Sequence, residues 1–140
     1  MAVKQLSVLV ENEKGSLLGI MNTLAEAGVD LRALSVADTE EYGILRFIAD
    51  DTEKAQKVLL DAGHPARVKH LVACAVADAP GGLAAALKLL SEHDINIEYI
   101  YSLLTRDEDH AYAVMRVSDY RAAEAVLSEN GFTILTEEDI

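Results

Sequence analysis

Two stretches hold the residues best placed for binding chemistry, "VENEKGSL" (10–17) and "VADAPGGL" (76–83). Each runs from a strand-like end through a polar loop to a glycine, and an apolar helical pattern starts at once. Glycine costs helix stability. A glycine there, doubled as Gly81-Gly82 in the second stretch, suggests that something comes close to the backbone. The first N–H groups of a helix lack partners within it and the dipole is positive there, so the place suits a carboxylate. Asn12 and Asp78 each stand three residues before the glycine, and both are also good helix caps. The glycines can equally be tight turns, and residue types alone leave both readings open.

Chemistry of a catalytic kind finds less support. His64, His70, His93 and His110 are scattered without metal-ligand spacing. Cys74, the lone cysteine, rules out an internal disulfide and reads as a small buried strand residue in "HLVACAV". No nucleophile motif or P-loop appears, and Pro80-Gly81-Gly82 lacks dinucleotide-binding spacing. A binding protein is expected, not an enzyme, with no cofactor and no metal.

Composition narrows the partners. The 140 residues carry 24 carboxylates against 12 Lys plus Arg, a net charge of −12. No basic run occurs, so nucleic acid and anionic membrane are not expected partners. No apolar run reaches membrane-spanning length and the N-terminus does not read as a signal peptide, which together give a cytoplasmic expectation.

The chain says the same thing twice. Val10 falls on Val76, Gly15 on Gly81, Leu17 on Leu83, Leu24 on Leu90 and Leu31 on Ile97, without a gap. After a short insertion "YGILRFI" (42–48) falls on "YAVMRVS" (112–118), and "KVLLDAGH" on "AVLSENGF". A repeat over the whole length means two copies of one structural unit, here 1–70 and 71–140. Each copy reads strand, helix, strand, strand, helix, strand: alternation in Leu6, Val8 and Val10, helical spacing in Leu17, Met21 and Leu24, then a stop at Gly28. Asp51-Thr52 offers the cap of the second helix, and "ARVKHLVACAV" supplies the last strand of one copy and the first of the next. The turns between the middle strands fall in "DTEEY" and "TRDED", and Glu137-Glu138-Asp139 reads as a solvated tail. The fold class is α+β, with helices on one face of antiparallel sheets.

"DAPGGL" with "DINIEYIYS", and more loosely "NEKGSL" with "GVDLRALS", resemble the ACT domain, a small ligand-binding regulatory module. Lys14 stands where that family often has proline. The resemblance covers the chain as a tandem pair. It implies two ferredoxin-like βαββαβ units paired side by side, an L-amino acid bound at the ACT–ACT junction, and regulation of amino-acid metabolism. It places ligand contacts on Asn12, Glu13, Lys14, Gly15, Ser16 and Leu17, and on Asp78, Ala79, Pro80, Gly81, Gly82 and Leu83. The entry to the second strand adds Asp30 and Leu31 in one copy, and Asn96, Ile97 and Tyr99 in the other.

An amino acid is a zwitterion, so the loop N–H groups suit its carboxylate and side-chain oxygens its ammonium. If opposite sheet ends meet across the junction, Asn12 pairs with Asn96 and Asp78 with Asp30. Two carboxylates repel the ligand's own, so the Asn12/Asn96 junction is expected to be the better site. Tyr99 is open between pocket wall, core and dimer contact. The expected partners are a free L-amino acid, a second copy in a homodimer, and a regulated metabolic enzyme. The alternative is a constitutive protein–protein interaction scaffold without ligand.

Overall fold

A computed structural model describes residues 2–38, 40–105 and 107–140. Thr39 and Arg106, in the turns expected from "DTEEY" and "TRDED", lie outside the described residues. The chain order is β1 (Val3–Glu11), α1 (Ser16–Glu26), β2 (Leu31–Asp38), β3 (Tyr42–Ala49), α2 (Thr52–Asp61), β4 (Ala66–Ala77), α3 (Gly82–Glu92), β5 (Ile97–Ser102), β6 (His110–Val117), α4 (Tyr120–Glu129) and β7 (Ile134–Leu135). The chain divides into two compact units, one of Lys4–Lys69 and one built on His70–Ile140.

In the first unit β3 lies between β2 and β1, all antiparallel, with Val8 opposite Leu45 and Val36 opposite the same Leu45. The other neighbour of β1 is β4. The opening residues of β4 belong to this unit by their packing: Ala66 and Val68 lie against its core, and Gln56 Nε2 donates to Ala66 O at 3.0 Å. In the second unit β6 lies between β5 and β4, and β7 pairs the far side of β4 through Ala73–Leu135 and Cys74–Ile134. Among the described residues no helix is long and apolar enough to cross a membrane.

The duplicated sequence builds a duplicated core. Leu6, Val8 and Val10 of β1 meet Ile20 and Leu24 of α1 and Leu59 of α2. Val72, Cys74 and Val76 meet Ala86, Leu90 and Leu127 in the same pattern. Alternate strand residues and helix residues three or four apart therefore share one buried face, which places both helices of a unit on one side of its sheet. Cys74 is the counterpart of Val8, fully buried and apolar in role.

Helix ends are settled locally. Asp51 caps α2 by accepting from Lys54 N at 3.1 Å, and Asp119 caps α4 by accepting from Ala122 N at 3.1 Å. Gly28, Gly63 and Gly131 end helices in the left-handed region, with φ between 73° and 88°. The fourth end carries Asp94 instead, at φ 59°. The expected tail is an ordered turn: Asp139 Oδ2 accepts from Thr136 N at 2.7 Å and Thr136 Oγ1 at 3.0 Å, closing a capping box on the 3-10 turn Glu137–Asp139.

Candidate ligand-binding site

The two glycine loops take the same form. α1 starts from Gly15 at φ 87° and α3 from Gly81 at φ 83°, and neither start has a side-chain cap. The N-cap positions are thus Gly15 and Gly81, not Asn12 and Asp78 three residues earlier, which corrects the N-cap reading. The main chains of Asn12 and Asp78 instead hold the loops to the neighbouring hairpins: Asn12 N donates to Glu41 O at 3.0 Å and Asp78 N to Asp109 O at 2.9 Å. The Asn12 amide reaches Glu40 O only at a long 3.5 Å. Glu13 O accepts from Ser16 N at 3.2 Å, and Ala79 O from Gly82 N at 3.0 Å, so one residue of each loop folds back on the helix start. Asn12, Glu13, Lys14, Gly15, Asp78, Ala79, Pro80 and Gly81 are exposed, and Leu17 and Leu83 partly so.

The doubled glycine has two separate causes. A β-carbon on Gly15 or Gly81 would meet nothing within 4 Å, so these two are needed for the left-handed backbone. A β-carbon on Gly82 would collide with the Ala77 carbonyl. What comes close to Gly82 is thus the end of its own strand. The first copy carries Ser16 at this position.

The strand entries lie at the other end of each unit. Asp30 N donates to Asp50 Oδ1 at 2.9 Å and Asp50 N to Asp30 O at 3.0 Å, beyond the end of β3, while Asn12 is tied to the start of β3. Eight residues of strand put these two clusters roughly 25 Å apart within one unit. Asn96 is held in the same manner, its N donating to Ser118 Oγ at 3.2 Å and its O accepting from Ser118 N at 3.0 Å. The Asp30 carboxylate is not bare: Arg32 Nη1 stands 3.1 Å from its Oδ2. The expected repulsion of a ligand carboxylate by Asp30 is weakened accordingly. Leu31 and Ile97 pack partly against their cores.

A β-bulge separates Tyr99 from Ile97. Ile97 is opposite Val117 but Tyr99 is opposite Arg116, and a matching shift falls between Leu31 and Ala33. The extra residue sends Tyr99 to the sheet face away from the helices, where its ring stacks on Tyr101 with centroids 6.5 Å apart. Tyr99 and Ile97 therefore do not line one wall. In the hairpin before β6, Tyr112 OH donates to Asp107 Oδ2 at 2.8 Å, and Asp107 Oδ1 accepts from Asp109 N and His110 N at 2.9 and 2.7 Å.

The first unit also contains a cleft of about 830 Å³ that sequence reasoning did not find. Ser16 and Ile20 of α1 line it beside Gly63–Pro65, and it continues over Ser7, Leu9 and Glu11 of β1. Arg46 of β3 and Arg67 and Lys69 of β4 complete it. Arg67 and Lys69 alternate with core-packed Ala66 and Val68, which fixes them on the opposite face. That alternation in "ARVKH" was the available signal. Among the described residues no group of three His, Cys, Asp or Glu side chains could hold a metal ion.

Tandem βαββαβ units, each with a helix started by a glycine, define a duplicated ferredoxin-like α+β protein. The ACT domain pair family matches residues 1–140, and the chain belongs to that family. Protein BT0572 from Bacteroides thetaiotaomicron is 34% identical with a TM-score of 0.93, over 99% of this chain and 95% of that one. The ligand-free regulatory subunit of aspartate kinase from Thermus thermophilus shares the fold at 14% identity and TM-score 0.68, over 94% of each chain. The corresponding subunit from Thermus flavus gives 14% and 0.65, over 92% of each. No curated protein matches the chain in sequence.

Proposed function

We propose that this ACT domain pair is a non-catalytic regulatory protein that binds an L-amino acid at an ACT–ACT junction and passes that signal to an enzyme of amino-acid metabolism. The observation that carries the reading is the contrast between helix starts. α2 and α4 are capped by aspartates, whereas α1 and α3 begin at glycines without a side-chain cap. Uncapped N–H groups at the positive end of a helix favour a ligand carboxylate. The Thermus proteins are by name regulatory subunits, and the proposal carries that role here.

In this reading the loop Asn12–Leu17 takes the carboxylate. An Asn96 brought by a paired unit, of the same chain or of a second copy in a homodimer, offers its side-chain oxygen to the ammonium. The corresponding pairing of Asp78 with Asp30 is the second site. Each charge-assisted hydrogen bond contributes about 1.5–3 kcal/mol. The ligand acts by favouring one of two arrangements, as allosteric coupling demands.

A thermal-shift screen against the standard amino acids tests this. A ligand at a hundredfold excess over its Kd adds about 2.7 kcal/mol, a shift of several degrees. Asn12→Ala should abolish the shift with little change in the unliganded Tm. A response to Asp78 substitution and not to Asn12→Ala would reverse the order of the sites. The role of Gly82 in packing its own strand favours the second reading, an interaction scaffold, at that one position. Silence toward every amino acid would overturn the amino-acid reading and favour the scaffold.

A further inference from the structure

We propose that the basic end of the first unit's cleft binds a small organic anion, a carboxylate or phosphate ester with an apolar body. This site lies apart from the helix start and does not rest on the amino-acid reading. Across the whole chain carboxylates outnumber Lys plus Arg by 24 to 12. The lining inverts that balance: Arg46, Arg67 and Lys69 face a single carboxylate, Glu11. The cations come from different strands, β3 and β4, with β1 between them. Such convergence in a chain of net charge −12 creates a local positive field where the surroundings are negative.

The floor is ordered along β1. Ser7 stands opposite Arg46, Leu9 opposite Ile44, and Glu11 opposite Tyr42. Ser7 to Glu11 spans roughly 13 Å of strand. An anionic head fits the Ser7/Arg46 end, where guanidinium groups give charge-assisted and bidentate hydrogen bonds. Leu9, 67% exposed, and Ile44 then cover an apolar body. Glu11 repels a second anion at the other end, so a compact anion with one charged terminus fits better than an extended polyanion. A second copy is the poorer occupant, because a two-fold contact through this face brings its cations together.

The test uses the full chain and four probes: phenyl phosphate, phenylacetate, neutral phenylacetamide and inorganic phosphate. Binding is followed by calorimetry and by amide shifts at Ser7 and Leu9. The aromatic anions are expected to bind, with phenylacetamide and inorganic phosphate each at least tenfold weaker. The order of phenyl phosphate and phenylacetate distinguishes a phosphate ligand from a carboxylate. The double variant Arg67→Gln/Lys69→Gln, with Arg67 exposed and Lys69 half-buried, should lose at least tenfold in affinity with an unchanged unfolding transition. Lys57→Gln on α2 should lose nothing. Asn12→Ala, which tests the amino-acid site, should leave the anions bound. The proposal is overturned if no probe binds at millimolar concentration, if phenylacetamide matches the anions, or if the double variant binds unchanged. A second copy occupying this face, seen as a dimer that the double variant alters, overturns it as well.

Discussion

The carbonyl of Ala77 closes over the bare α-carbon of Gly82: a β-carbon there would strike its oxygen and lie 2.9 Å from its carbon. Both partners are backbone, so neither can swing aside. Gly82→Ala is expected to destabilise by about 2–3 kcal/mol, an overpacking cost. Gly81→Ala faces open space but a left-handed φ, and should cost about 1–2 kcal/mol. Urea unfolding of the two variants checks the order, and equal costs would contradict the two-cause account.

Asp94 holds the left-handed φ of 59° where the first copy has Gly28 at 73°. Relief of that strain exceeds the entropy that glycine loses on folding. Asp94→Gly should therefore stabilise by about 0.5–1 kcal/mol. Gly28→Asp should destabilise by about the same amount, since its β-carbon would meet only Lys54 Nζ at an ordinary 3.7 Å. Denaturant midpoints of the pair measure both.

Burial pushes the Cys74 thiol up from 9.0 to about 11. The thiolate forms more readily in the unfolded chain, so the contribution of Cys74 is whole below pH 9 and fades as pH rises to about 11. Cys74→Val installs the residue that the first copy has at Val8 and should remove this part of the pH dependence. Stability measured from pH 8 to 11 for both proteins tests it. At pH 8 the native thiol should also resist alkylating reagents that react within minutes once the chain is unfolded.

The hydrogen bond from Tyr112 holds the Asp107 carboxyl below the usual carboxylate range, with the Asp109 and His110 amides assisting. A lowered folded value means the contribution is present above the ordinary carboxylate pKa and is lost as pH falls through the folded one. Tyr112→Phe should move the Asp107 titration back upward in a carboxyl NMR experiment. It should also raise the exchange rate of the His110 amide, which donates to Asp107 at 2.7 Å.

Much of the fold was legible because its signals are local. Alternation placed Leu6, Val8 and Val10 on one face, and Asp51 announced the cap of α2. The bulge before Tyr99 was not legible, since no residue type demands it, and one inserted position reversed the facing of that side chain. Nor was the Arg32–Asp30 ion pair, which weakened the expected repulsion at Asp30.

The sequence by itself determined the duplicated βαββαβ order, the paired cores and the glycine-started helices, because periodicity, caps and left-handed glycines act within a few residues. Only the tertiary structure decided that Gly82 yields to Ala77, that the N-cap positions fall on Gly15 and Gly81 and not on Asn12 and Asp78, and that Arg46 converges with Arg67 and Lys69. Those relations join separate strands or opposite ends of a loop, and strand pairing brings together charges that lie about 20 residues apart in a chain with no basic run.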